Sequence, residues 1–461
     1  MDPRVTPPSS VLTAMNAQRS ARHRLVEDPW IYGAAVSACC VVTGVYVGRT
    51  GSLMPLVALS AVCAMLFAVA RPRLALAIGL AAIALPYTWG PHISTLGFGS
   101  GIVVGLLFLI AYASTLTRFR PSALDLAVLA FAVTPAAIAA LQGQPLHIAN
   151  WIGPEIVVPY FGFRLLFHAT DTRRDFATAM VAVGVAVALI GIWEGFTGHN
   201  PIVHPGHAIH SNGGHYTTTW NLVEYRDGHV RALSTFGHPI AFGMFLTIPL
   251  AFALARGGLW NLASAGVILV AEVLTYSRGG WIACLVVVLL LAGRNRGRIV
   301  VAATVIIAGA IFIGPINQIL TESTSASTEA GDTTYYRVGL LSHAFDSVSL
   351  LGHPFADLQS AFAGYADVTS LVAGTVVQTG LVGLLELAFI ACCVIVALVS
   401  ARRQADHDYR AATAALTAQL AGLISVALIT NHQFFFWILV AYVATLWQAQ
   451  TREGVNRGNP A

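Results

Sequence analysis

Residues 259–298 read LWNLASAGVILVAEVLTYSRGGWIACLVVVLLLAGRNRGR, and the way this stretch divides decides the fold. Taken as one helix, 259–293 would run about 52 Å at 1.5 Å per residue, against a hydrocarbon core of ~30 Å. It would also carry the RNRGR run to the outer side of a membrane. Two short helices meeting at Tyr276-Ser277-Arg278-Gly279-Gly280 keep that run inside, where arginine accumulates. Each half is barely long enough to span. The Arg278 turn can therefore sit below the outer surface, where irregular backbone is tolerated only against protein or a wet cavity.

The rest of the chain extends the same pattern. Of 461 residues, 56% are hydrophobic and 10% charged, and the mean hydropathy is +0.71. A soluble domain carries roughly 25% charge, so the composition describes an all-α, polytopic transmembrane bundle. Apolar runs of this length exclude a β-barrel, whose strands alternate and are only about 10 residues long. Candidate spans lie at 30–48, 53–70, 74–90, 98–116, 122–141, 150–168, 175–196, 237–255, 259–276, 279–293, 299–315, 370–399, 411–430 and 434–448. These fourteen give a cytoplasmic tail (1–29), an N-terminal helical block (30–196), outer loop A (197–236), a central block (237–315), outer loop B (316–369), a C-terminal block (370–448) and a second cytoplasmic tail (449–461). The expected location is the inner or plasma membrane, with both termini cytoplasmic. No small-residue cleavage site follows a short apolar core near the start, so the first residues read as a tail and not a signal peptide. The chain has no lysine, and its net charge of +4 reflects inside loops, not a nucleic-acid face. All six cysteines fall in apolar segments and suggest neither a disulfide nor a metal site.

With this topology twenty of the twenty-five arginines are inside. Arg49, Arg226, Arg231, Arg278 and Arg337 are outside, and the last three lie at or near outer ends of apolar segments. A guanidinium stays charged and makes forked bonds to phosphate oxygens, so three together could hold a diphosphate without a metal. They could equally snorkel or pair with Glu194, Glu272 or loop acids. Four acids fall within apolar segments: Glu155, Glu194, Glu272 and Glu386. They could form a proton or ion path, but pairing with arginine is the preferred reading. Pro154 and Pro159 flank Glu155 and suggest an irregular helix lining a cavity. Twelve of fifteen histidines are outside, seven of them (His199, His204, His207, His210, His215, His229 and His238) between 199 and 238. The spacing offers no preformed zinc cluster, so no metal and no cofactor are expected. In loop B, Val338, Leu341, Phe345 and Val348 recur at helical spacing. A surface helix is predicted there, with Arg337 one turn before Leu341 and directed at the membrane body.

Residues 231–243 read Arg-Ala-Leu-Ser-Thr-Phe-Gly-His-Pro-Ile-Ala-Phe-Gly. Together with Ser277-Arg278-Gly279-Gly280, with Tyr336-Arg337 through Leu351-Gly352-His353-Pro354, and with Gly380-Leu381-Val382-Gly383, this resembles the conserved region of the O-antigen ligase and O-antigen polymerase family. Order and spacing agree over roughly 231–400. The first half agrees only in being polytopic. The resemblance implies a membrane-embedded, metal-independent glycosyltransferase of the C-type class. Its partners would be a polyprenyl-diphosphate-linked glycan at the outer leaflet, membrane lipid, and an acceptor glycan or lipid. The diphosphate-binding residues would be Arg231, Arg278 and Arg337. Apart from the resemblance, Glu155 and Glu272 are the residues expected to line the cavity. Ligases of that family also carry a His-Asn pair just before the Gly-Leu-x-Gly helix. Here that region reads Ala366-Asp367-Val368-Thr369-Ser370-Leu371, without a histidine. Asp367, His238, His343 and His353 are then the candidate bases, and a polymerase is expected ahead of a ligase. A transporter or flippase coupled through Glu155, Glu272 and Glu386 is the reading from another class.

Overall fold

The computed structural model describes residues 54–85, 100–143, 152–202, 224–226, 229–291, 329–353, 370–402, 406–424, 428 and 430–458. The described residues are overwhelmingly helical. Contacts divide the chain into Met1–Ala75 and Leu76–Ala461. In the first unit, α1 (Met54–Ala70) passes through Arg71 into α2 (Pro72–Ala84), whose later turns belong to the second.

The second unit continues with α3 (Ser100–Ala111), a 3-10 turn (Ala113–Arg118), α4 (Ala123–Leu141), α5 (Ile152–Ala169) and α6 (Arg173–Thr197). A hairpin of β1 (Glu224–Arg226) and β2 (His229–Arg231) follows, then α7 (Pro239–Arg256), α8 (Leu259–Leu274) and α9 (Arg278–Leu291). The described remainder is α10 (Glu329–Asp346), α11 (Leu371–Arg402), α12 (His407–Gly422) and α13 (Thr430–Gly458). Twelve of the fourteen expected spans coincide with a described helix; 30–48 and 299–315 lie outside the described residues. Five helices are long and apolar enough to cross a membrane: Ala123–Leu141, Arg173–Thr197, Pro239–Arg256, Leu371–Arg402 and Asn431–Thr451. Several others are apolar but shorter. The break between α8 and α9 falls at the expected turn.

The unit is organised around α7, which packs against α6, α8, α9, α12 and α13. Its residues are buried from Pro239 through Ala253 apart from Ile240, so it is hydrophobic on every face, as a central helix must be. Between apolar helices in lipid, attraction comes from close packing of small residues. At the α3–α5 crossing a side chain on Gly162 would strike the carbonyl of Gly105. At the α7–α9 crossing a side chain on Gly280 would strike Gly243 and the Glu272 carboxylate.

One end of the bundle is fastened by an ion pair that the sequence reading did not single out. Arg164 on α5 is fully buried and holds Asp125 on α4 through two bonds, Nε to Oδ1 at 2.9 Å and Nη2 to Oδ2 at 3.1 Å. Every guanidinium nitrogen and both carboxylate oxygens are bonded. Tyr160 donates to Asp125 at 2.7 Å, and Arg164 donates to Thr445 at 3.0 Å and Gln448 at 2.9 Å on α13. The same carboxylate closes the capping box of α4 with Ser122. A buried charge pair is tolerable because every polar atom finds a partner. At the same end Arg256 forks onto Asp408 with two 2.8 Å bonds, joining the last turn of α7 to the first of α12.

α10 forms where loop B was predicted to be helical, but its buried face is different. Leu340 and Ala344 are fully buried, packed with Ala373, Val376 and Val377 of α11. Val338, Phe345 and Val348 are exposed, and of the predicted stripe only Leu341 reaches that core. The turn after α10 enters a break in α11. Gly380 has φ 64°, outside the helical region, and the amides of Leu381 and Val382 donate instead to the carbonyls of Ser349 (2.9 Å) and Leu350 (3.3 Å). In return the His353 amide donates to the Val377 carbonyl at 2.7 Å. The approach is backbone to backbone. A side chain on Gly352 would lie 2.5 Å from the Gln378 carbonyl carbon, and one on Gly380 would overlap Ser349 and Gly352. Gly352 is also left-handed, at φ 71°, a conformation in which only glycine is unstrained.

Candidate functional site

The site is built from the turn between α8 and α9 and from the chain leaving β2. α8 ends because Thr275 folds back on it, its hydroxyl donating to the Glu272 carbonyl at 2.7 Å. Tyr276 then takes a positive φ of 48°. Ser277 restarts the helix, its hydroxyl accepting from the Gly280 amide at 3.3 Å, the usual N-cap geometry. Arg278 is therefore the first residue of α9, half-buried.

The chain leaving β2 is stitched onto this turn. The Ala232 amide donates to the Leu274 carbonyl at 2.8 Å, and Arg231 Nε donates to the Thr275 carbonyl at 3.3 Å. Arg231 is 8% exposed. An arginine at the end of β2 is thus bonded to the turn that leads into a second arginine, 47 positions later in sequence, at the head of α9. The next residues are clamped from α6. Glu194 Oε2 accepts from the amides of Leu233 (2.9 Å) and Ser234 (2.7 Å). Ser234 is left-handed at φ 52°. Its hydroxyl donates to the Val187 carbonyl at 2.7 Å, and its own carbonyl accepts from Asn200 Nδ2 at 2.7 Å. Phe236 then stacks on Phe242 and Phe245, and His238 caps α7, its Nδ1 accepting from the Ile240 amide at 3.1 Å.

The other candidates fall elsewhere. Position 337 lies on α10, with its side chain outside the described residues, as is Asp367 altogether. His343 is half-buried on α10. His353 sits in the turn that enters the α11 break, a ring nitrogen 3.2 Å from the Ser347 carbonyl. With Nδ1 of His238 committed to capping, a base there would have to act through Nε2. Of the loop A histidines, 204, 207, 210 and 215 lie outside the described residues, and so does the side chain of 229.

The expected pairing of the intramembrane acids with arginine is corrected for three of them, among the described residues. Glu386 accepts from Thr134 at 2.7 Å. Glu155 has the side-chain amide of Gln433 as its polar neighbour. Glu272, 2% exposed, has no hydrogen-bond partner on either carboxylate oxygen and lies against Gly243 and Gly280. The hydroxyl and amide neighbours that hold the first two are short-range contacts between helices, which hydropathy does not register.

The sequence reading also missed a polar cluster where α7, α12 and α13 meet. His432 is fully buried, its Nε2 2.6 Å from Gln419 Oε1. Gln419 Nε2 is shared between the Met244 carbonyl (2.5 Å) and the Thr247 hydroxyl (2.6 Å). Because a carbonyl only accepts, the amide orientation of Gln419 is fixed, and His432 must carry its proton on Nε2. The available signal was the run Asn431-His432-Gln433 at the head of an otherwise apolar segment.

No protein-family model matches the chain, and comparison with curated proteins finds no match.

Proposed function

We propose that the chain is a membrane-embedded glycosyltransferase. It would take a glycan from a polyprenyl-diphosphate donor at the outer leaflet and, as a polymerase, transfer it with inversion to the end of a growing polysaccharide. The observation that carries this reading is the stitching of Arg231 onto the Arg278 turn. Two arginines, one at the head of α9 and one bonded to the turn before it, suit a ligand with two adjacent phosphates. In the transfer, an acceptor hydroxyl attacks the anomeric carbon. Its proton passes to a base drawn from Asp367, His238, His343 or His353. The bond to the diphosphate breaks, and the arginines stabilise the charge that develops on the leaving oxygen. Position 337 would bring a third arginine through α10, and the outer-facing loops A and B would cover the reaction from bulk water.

The test is purified protein with lipid-linked oligosaccharide. A ladder of products is the result expected of a polymerase. A single transfer to a second acceptor marks a ligase, and no new glycosidic bond overturns the reading.

One observation favours transport as the second reading: the buried Glu272 carboxylate without a partner, a common mark of ion or proton coupling within a membrane. Replacing Glu272 with Gln in proteoliposomes separates the two. Loss of lipid-linked glycan movement supports transport, and retained glycan transfer supports the transferase.

A further inference from the structure

We propose that Glu194 is a positioning residue for Arg231. Its carboxylate, acting as a hydrogen-bond acceptor and not as a charge carrier, sets the backbone bend that presents the guanidinium at the Arg278 turn. The inference rests on reading Arg231 as a diphosphate contact.

The bend at 233–234 needs an external hold. Ser234 lies in the left-handed region, which is strained for a residue with a side chain. Three groups hold it there: Val187 through the serine hydroxyl, Asn200 through the serine carbonyl, and Glu194 through two amides. Only Glu194 also reaches Leu233, one residue nearer the arginine. From there Ala232 bonds to Leu274 and Arg231 to Thr275. The chain of contacts from Glu194 to the guanidinium is thus four residues of backbone, anchored at both ends. α6 can approach closely because Gly191, one turn earlier, lies against Phe242 and Ser234.

A carboxylate that is 1% exposed is costly to keep, and a helix that needed only to pack there would not carry one. Both amides meet the same oxygen, Oε2. The task is therefore one that a neutral amide oxygen at the same reach could perform.

The substitutions Glu194→Gln, Glu194→Asp and Glu194→Ala separate position from charge. The full-length protein in detergent is titrated with farnesyl diphosphate, with farnesol as the control for the chain alone. Gln keeps the reach and loses the charge, and should retain affinity within about threefold. Asp keeps the charge and withdraws the oxygen by one methylene, and should weaken binding about tenfold, as should Ala. In an Arg231→Ala background the Glu194→Ala change should add less than about twofold, because the two residues act through one contact. A protein that binds normally with Asp and poorly with Gln overturns the proposal, as does a double variant whose losses multiply. If Ala does not fold, the Gln and Asp pair still decides. Should Arg231→Ala itself bind farnesyl diphosphate normally, the diphosphate reading fails and this inference falls with it. Loss of binding in Arg231→Ala but not in Glu194→Asp or Glu194→Ala removes the inference alone.

Discussion

Arginine plays two different parts in this protein, and the surroundings of each side chain say which. Arg164 has acceptors on every side and is fully buried. Arg231 donates to the Thr275 carbonyl in the turn that leads into Arg278. Removing Arg164 would leave Asp125 buried without its partner, so Arg164→Ala should lower stability by about 3–5 kcal/mol. A thermal melt in detergent reads that loss, and the further change Asp125→Leu should recover part of it. Removing Arg231 or Arg278 should instead spare folding and abolish transfer. One charge-assisted phosphate contact is worth roughly 1.5–3 kcal/mol, about ten- to a hundredfold in donor affinity, before any transition-state contribution. Lys should rescue poorly, since a point charge cannot make a two-pronged contact. Arg337→Ala should be the mildest of the three, and Arg49→Ala and Arg226→Ala nearly silent. Near-normal turnover and affinity in both Arg231→Ala and Arg278→Ala would end the diphosphate reading. The arginines read as outer were legible because the expected topology makes them exceptions to a rule. Arg164 was not, since it lies well inside an apolar segment near the inner end, where an arginine is unexceptional until its partners are known.

Among the elements, helices were read well and their faces less well. In loop B the periodicity marked α10 correctly, but the largest apolar residues drew the stripe one residue away from the face that Leu340 and Ala344 occupy. Exposed Val338 and Phe345 weighed more in the sequence than buried Ala344. Leu340→Ser should therefore destabilise α10 far more than Val338→Ser, which hydrogen exchange of the 340–353 amides would show. The hairpin was overlooked although Asp227-Gly228 between two short runs is a strong two-residue turn signal; a single long loop hid it. The Gly-Leu-x-Gly helix and the Leu-Gly-His-Pro turn were recognised as separate motifs, and their interlocking could not be read, because hydrogen bonds between backbones leave no side-chain pattern. Gly380→Ala and Gly352→Ala should each cost at least 1–2 kcal/mol from left-handed strain alone. Combined, they should cost less than the sum, because either one opens the same joint. A fully additive pair in the melt would show that the two glycines serve separate purposes.

For the whole molecule, the helical, apolar architecture followed from composition and run length, and the described helices fall on the apolar runs. Fourteen spans with both termini inside would make loops A and B outer-facing. Cysteines introduced at 205–230 and 322–332 should then react with an impermeant thiol reagent in intact cells. Reaction only after permeabilisation would reverse the orientation and remove the case for an outer arginine site. Activity should also survive chelation, since in the proposed reading the arginines would take the place of a metal; stoichiometric zinc lost together with activity would contradict this.

The Arg164 network also has a bearing on how the molecule is made. Asp125 and Arg164 are 39 residues apart, whereas Thr445 and Gln448 follow Arg164 by 281 and 284. A ribosome delivering the chain from its N-terminus releases the ion pair long before the helix that completes it. During that interval α4 and α5 are already joined by the carboxylate, which neutralises the guanidinium, while two of its bonds wait for α13. The final helix is thus recruited to a partly satisfied charge and closes the network on arrival. Insertion of the first half should then proceed without the second, and an Asp125 variant should fail earlier in biogenesis than a Gln448 variant.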